Sequence, residues 1–354
     1  MKVKHDYTGK KVFVGIDVHK KTYSVAVVCD KVLVKKDTMP AEPRKLVQYL
    51  QKHFIGAKIK SAYEAGFSGF VLHRELLRGG IDSIVVHAAS VEVGARDRVK
   101  TDKRDALKIA VQLEAERLEG IFVPSPEMED RRELTRLRAT LVKDKNRYAL
   151  RLKHKAHYYG FVGPTDTIKV CKKWIEQIEK KTMAPGIKET INYLVGLWKA
   201  LAEKIKEVDK LLEKQALEDN DQEIIYRSVP GIGKTASRIL ANELGNMTQF
   251  SNERGLFSYT GLTPSEYSSG EHIRRGHISR QGKSILRSIL VQSSWTAIRY
   301  DENLREIYER ISRRSGPKRA IVAIARHLIG RIRACFRNNE LYKQLPLKGE
   351  IKVA

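Results

Sequence analysis

The feature that most limits the fold is the apolar run Val12-Phe13-Val14-Gly15-Ile16-Asp17, rich in β-prone residues and ending on a single acid. Two further runs of the same character, Tyr23 to Val28 and Val32 to Lys35, follow too closely for helical crossovers. The three therefore read as an antiparallel meander. After them come a helical stretch from Pro43 to His53, a strand from Ile59 to Glu64, a helix from Gly69 to Arg78 and a β-rich run from Ser83 to His87.

A meander followed by strands that alternate with helices needs parallel pairing for the later strands, which is the order of a ribonuclease-H-like α/β domain. We assign it to residues 10–122. Pro124-Ser125-Pro126 closes it, since neither proline continues a helix interior. Long charged helices follow, and Leu194, Leu197, Leu201, Ile205, Val208 and Leu212 recur at heptad-like spacing. Leu134, Leu137 and Leu141 begin a similar stripe. Residues 123–221 are thus expected to form an antiparallel helical hairpin or an intersubunit coiled coil. Residues 222–340 make a third, mostly α region.

The chain carries 67 Lys and Arg against 42 Asp and Glu, a formal net charge of +25, which concentrates polyanions around it and makes nucleic acid the leading partner. No run of about 18 apolar residues offers a membrane span. No apolar segment near Met1 supports export, so the expected place is the cytoplasm, in association with the nucleoid. Cys29, Cys171 and Cys335 lack the spacing of a zinc site or a disulfide framework.

Asp17 and Glu64 each end a strand, and two acids at neighbouring strand ends repel unless a cation bridges them. Lys100-Thr101-Asp102-Lys103-Arg104-Asp105-Ala106 opens a helix, with Asp102 and Asp105 three residues apart on one face. Oxygen donors of this kind select magnesium or manganese. His19 and His157, isolated among lysines, are left out of the ligand set. In the last third, Val229-Pro230-Gly231-Ile232-Gly233-Lys234-Thr235 places backbone amides at a helix start, in the manner of a helix-hairpin-helix element that grips a phosphate backbone. From Gly270 to Arg337 there are 16 Lys and Arg against 5 Asp and Glu, a phosphate footprint in which Arg274, Arg275 and Arg280 sit among glycines and serines. The expected nucleic-acid contacts are therefore Gly231, Gly233, Lys234, Arg274, Arg275 and Arg280.

The segments Gly15-Ile16-Asp17-Val18-His19-Lys20, Tyr63-Glu64-Ala65-Gly66 and Lys100 to Ala106 closely resemble the three acidic motifs of the DEDD transposases of bacterial and archaeal insertion sequences, a family related to Piv-type invertases. The resemblance continues through Val229 to Gly233, Gly261-Leu262-Thr263-Pro264-Ser265-Glu266-Tyr267-Ser268-Ser269-Gly270, Gly276 to Gly282 and Leu286-Arg287. It implies that Asp17, Glu64, Asp102 and Asp105 hold divalent metal, magnesium or manganese, in a RuvC-like domain. It also implies a C-terminal serine that attacks DNA, at Ser269 by motif position, with Ser268 as the alternative. A site drawing on both domains, and on a homodimer or homotetramer, would activate that hydroxyl.

The same resemblance implies donor and target DNA as substrates and a noncoding RNA that bridges them by base pairing. A metal-dependent junction-resolving nuclease is the competing reading, needing the acids but no serine. ATPase relatives of the fold are disfavoured, because Val18-His19-Lys20-Lys21-Thr22 replaces the glycine-rich turn they use between their first strands.

Overall fold

Strands β1 (Lys11–Val18), β2 (Thr22–Cys29), β3 (Val32–Pro40), β4 (Lys58–Glu64) and β5 (Asp82–Val86) form a mixed five-stranded sheet of order β3-β2-β1-β4-β5. The meander is antiparallel, whereas β4 runs parallel to both β1 and β5. The computed structural model describes residues 6–92, 102–218, 220–267, 269, 272 and 274–343. The chain divides into two compact units, Met1–Pro124 and Ser125–Ala354. In the first, the sheet and its helices make an α/β domain compatible with a RuvC-like fold.

Alternation along the strands decides which face each helix covers. Val12, Val14, Ile16, Tyr63 and Val85 point to a core shared with Leu46, Val47 and Leu50 of α1 (Pro43–His53) and Leu72 and Leu76 of α2 (Val71–Arg78). The opposite face presents Ala26, Val28 and Ala62 to α3 (Asp102–Glu114), through Ala106, Ala110, Ile109 and Leu113. β2 turns into β3 through Asp30 and Lys31, both at positive φ, the two-residue geometry whose twist suits a hairpin. β3 continues to Pro40, five residues past the Lys35 end expected from sequence.

The second unit begins with α4 (Pro126–Tyr158), which starts at the supposed breaker. Pro126 occupies the first helical turn, where no amide partner is needed, and Ser125 caps it by accepting from the Met128 amide at 3.2 Å. α4 packs against α6 (Pro185–Glu218), with α5 (Lys172–Glu179) between them in sequence. Arg138 pairs with Asp209, and Lys145 lies 5.7 Å over the Trp198 ring, so the two long helices are antiparallel within one chain. The buried seam of α6 is Ile191, Val195, Trp198, Ile205, Val208 and Leu212. Its lower half is as expected, but Leu197 is 46% exposed while Trp198 is 9% exposed. The leucine pattern alone had pointed to the neighbouring stripe.

The rest of this unit is a helical globule of α7 (Asn220–Arg227), α8 (Lys234–Leu244), α9 (Glu253–Thr260), α10 (Ser284–Tyr300), α11 (Glu302–Ser315) and α12 (Pro317–Asn338), with a small hairpin of β6 (Pro264–Glu266) and β7 (Arg275–Ile278). Ile321, Ile324, Leu328, Ile329 and Ile332 of α12 run through its core. Buried Asp301 caps α11 by accepting from the Leu304 amide at 2.9 Å, and also accepts from Arg331 and Tyr342, each at 2.7 Å. Arg132 of α4 donates to the Asn242 and Glu243 carbonyls at the end of α8, each at 3.0 Å, while Arg136 pairs with the Glu243 carboxylate at 2.7 Å. A guanidinium there satisfies orphan carbonyls and offsets the negative end of the helix dipole. Cys29, Cys171 and Cys335 are free thiols, and no described helix is long and apolar enough to cross a membrane.

Candidate active site

Asp17 follows Gly15 by two residues, so both face α3. Gly15 is there because nothing larger fits: a Cβ would overlap the Ala106 carbonyl oxygen and lie 2.5 Å from the Ala110 amide nitrogen. That close approach sets the first turn of α3, and with it Asp102, beside the end of β1. Ile16 pairs with Tyr63 across the parallel strands, so Asp17 and Glu64 occupy the next position on each strand. Glu64 lies on the Ala62 face, which α3 also covers. Lys100 and Thr101 of the third motif lie outside the described residues.

Asp17 and Asp102 are brought together, and His19 joins them. Its Nε2 is 3.1 Å from Asp17 Oδ2 and 3.2 Å from Asp102 Oδ2, and one donor atom from each of the three lies within 4.8 Å of the others. Glu64 and Asp105 are not part of this tight group. Asp105 still acts on Asp17 through its charge, and its own carboxylate lies 3.3 Å from Lys108 Nζ. Burial pushes the Asp17 carboxyl above its ordinary range. His19 opposes that rise, while the negative charges of Asp102 and Asp105 add to it.

This donor set suits a hard divalent cation. Two ligands of one magnesium or manganese ion lie at most about 4.2 Å apart, twice a bond of about 2.1 Å, so the three atoms need only a small closure to share one. Sequence reasoning set His19 aside. The turn from β1 to β2, where the His19 amide donates to the Thr22 carbonyl at 2.9 Å, folds the ring back over Asp17. A histidine two residues beyond a strand-end acid was the available signal.

In the second unit, the serine motif forms the β6–β7 hairpin. Ser269 and His272 exchange amide and carbonyl hydrogen bonds of 3.3 and 3.2 Å near its tip, and the Tyr267 amide donates to the Arg274 carbonyl at 2.9 Å. Ser269, Arg274 and Arg280 are exposed. Ser268 and Gly270 lie outside the described residues, as does the side chain of Arg275. His272, directly across from Ser269, is a second residue that the sequence reading did not single out.

Residues 14–157 match a family model described as a transposase, of the DEDD type, and residues 225–309 match the transposase family IS116/IS110/IS902. The chain belongs to the DEDD transposases of insertion sequences. It is similar to the y4qE transposase of Sinorhizobium fredii, 28% identical over 81% of this chain and 72% of that protein. It is also similar to the transposase for insertion sequence element IS1533 of Leptospira borgpetersenii, at 26% identity over 96% of this chain and 99% of the relative. The transposase for IS1111A of Coxiella burnetii is 24% identical over 69% of this chain and 68% of its own length.

Several glycines of this DNA transposase serve packing. A Cβ on Gly282 would overlap the Tyr259 carbonyl oxygen and lie 2.5 Å from the Gly261 amide nitrogen. Arg287 donates to the Thr260 and Gly282 carbonyls at 3.2 and 2.8 Å. The Gly261, Gly282, Leu286 and Arg287 motif thus holds the base of the serine hairpin against α9 and α10. The Val229 to Thr235 hairpin divides similarly. Gly231, at φ +86°, abuts α10, where its Cβ would lie 2.7 Å from Thr296 Cβ, and its carbonyl accepts from Ser293 Oγ at 3.0 Å. Gly233 opens onto free space and caps α8, with Lys234 and Thr235 in the first turn of that helix.

Proposed function

We propose that this transposase cuts and rejoins donor and target DNA, using Asp17, Glu64, Asp102 and Asp105 for divalent metal and Ser269 as nucleophile. The observation that carries this reading is the meeting of Asp17 and Asp102 with His19 at the start of α3. Magnesium or manganese, when bound, supplies positive charge against that developing on phosphate oxygens. The acids hold that charge in place, with His19 as a further nitrogen donor. The Ser269 hydroxyl attacks phosphorus: an Oγ–P bond forms, a P–O bond to one deoxyribose oxygen breaks, the hydroxyl proton leaves and the departing oxygen gains one. Attack by a strand's own hydroxyl on that phosphoserine link then reseals DNA and returns the serine.

Residues 10–122 serve as the metal-binding domain, 123–221 as the helical region with coiled-coil character, and 222–340 as the serine domain with a helix-hairpin-helix-like element. Gly233 and Lys234, with Arg274, Arg275 and Arg280, grip phosphate, whereas Gly231 supports the hairpin from behind. The charge of +25 supports phosphate binding by the protein while a bridging noncoding RNA supplies sequence by base pairing. The acting form is a homodimer or homotetramer at the nucleoid in the cytoplasm.

Trapping on nicked DNA tests the mechanism. Wild-type protein should yield a covalent protein–DNA adduct, and Ser269→Ala and Asp102→Asn should not. An adduct that survives Ser269→Ala but not Ser268→Ala moves the nucleophile by one residue. Cleavage without any adduct, retained in the double serine substitution, identifies a junction-resolving nuclease instead.

A further inference from the structure

At the far end of the α4–α6 hairpin, aromatic rings and cations gather in a way the DNA chemistry does not use. His154 and Tyr158 are stacked, with centroids 6.2 Å apart and an interplanar angle of 18°. Tyr158 meets Tyr159 edge to face at 5.0 Å, Tyr159 leans on Phe161 at 6.0 Å, and Lys155 lies 5.6 Å over the Tyr159 ring. Tyr158 is 72% exposed, so one face of a long aromatic side chain is spent on neither core nor partner helix. The row of rings leads to a cleft of about 610 Å³ whose walls include Phe161, Asp166, Trp174, Gln177, Lys180 and Lys181.

A buried hydrophobic cluster of Leu152, Ile175, Ile178, Ile191 and Val195 closes the tip beneath these groups. Phe161 and Trp174 pack against its edge and so are held in place, whereas Tyr158 and Tyr159 lie outside it and are not needed to seal the hairpin. Residues 151–188 hold 9 Lys and Arg against 3 Asp and Glu, which makes this end attractive to phosphate. Exposed rings beside cations take up unpaired bases, because every base has a face to stack and duplex DNA hides it. The cleft volume falls within the range of about 300 to 1,000 Å³ typical of small-ligand sites, enough for a splayed nucleotide. Asp166 accepts from the Gly163 amide through Oδ2 at 2.7 Å, which fixes the carboxylate and leaves Oδ1 as an acceptor that repels phosphate but suits a hydroxyl donor, and only ribose carries a 2′-hydroxyl.

We infer that the hairpin tip is a binding site for unpaired RNA: one base stacks on Tyr158, the next enters the Phe161–Trp174 cleft, and Lys180 and Lys181 hold the intervening phosphates. The inference deepens the RNA reading above and rests on it for the biological ligand. Plain oligonucleotides test the site separately from guidance.

The experiment measures binding of full-length protein to 12-nucleotide oligouridylate, the matching oligodeoxythymidylate and a 12-base-pair DNA duplex, all at one salt concentration. Tyr158→Ala, a change at an exposed position, should weaken oligouridylate binding about tenfold, deoxy-oligonucleotide binding less, and duplex binding not at all. Oligouridylate should quench part of the tryptophan emission, and Trp174→Phe should remove that part. Equal losses on all three probes, or none, overturn the stacking site. Equal losses on the two single strands overturn the choice of RNA, and quenching unaltered by Trp174→Phe overturns the cleft. A tip that behaves as expected in a protein from which no discrete RNA copurifies would sink guidance while leaving the site standing.

Discussion

Gly15 of β1 and Ala106 of α3 meet backbone to backbone, with no room between them for a single methyl group. The metal-binding acids are therefore seated by core packing. Gly15→Ala must push α3 off the sheet at a cost of about 1 to 3 kcal/mol and carry Asp102 away from Asp17. Thermal melts with and without manganese test this: the wild type should gain stability from the ion by mass action, and the variant should melt lower and gain little. An undiminished manganese shift in the variant would show that the acids do not depend on this contact.

His19→Ala should weaken manganese binding about tenfold or more while leaving magnesium binding less affected, since an imidazole nitrogen serves the softer ion better. Calorimetric titration with each ion gives the comparison. Equal loss for both would make His19 a positioning residue for the two carboxylates rather than a ligand.

Trp198→Ala should cost about 3 kcal/mol or more by emptying the seam between α4 and α6, whereas Leu197→Ala next to it should change stability by no more than about 0.5 kcal/mol. Denaturant unfolding of the two variants decides the register of the helix pair. A larger effect at Leu197 would restore the stripe read from the leucines.

Neutralising Arg274 and Arg280 together should lower the slope of log affinity for duplex DNA against log salt by about two, if both touch phosphates. The pair is chosen because both are exposed at the serine hairpin and the turn after it. A slope that does not move places duplex DNA on another face of the unit.

Much of the first unit was legible because its signals are local. Short β-prone apolar runs mark β1, β2 and β4, the helix from Pro43 to His53 has its start proline and amphipathic face, and each acid stands where a strand ends or a helix begins. What escaped depended on partners distant in sequence. Gly15 looks like any strand glycine until α3, some ninety residues later, is laid across it. His19 acquires its meaning only when the turn brings its ring over Asp17 and Asp102. On α6 the leucines occupy two adjacent stripes, and periodicity does not say which one α4 covers; Ile191, Val195 and Trp198 decide it. The glycines of Val229 to Gly233 read as one phosphate loop, whereas Gly231 is pressed on α10 and only Gly233 faces outward.

The bonds from Arg132 and Arg136 to the end of α8 bear on how such elements can be reassembled. A piece beginning near Gln222 would leave the Asn242 and Glu243 carbonyls and the Glu243 carboxylate without the cations that α4 supplies from more than a hundred residues upstream. Swapping C-terminal segments between related elements would then have to preserve that match at both ends, while an exchange at Pro124 would carry it intact. Viable mosaics among these transposases should accordingly show their crossover points near the start of α4, and few between α6 and α8.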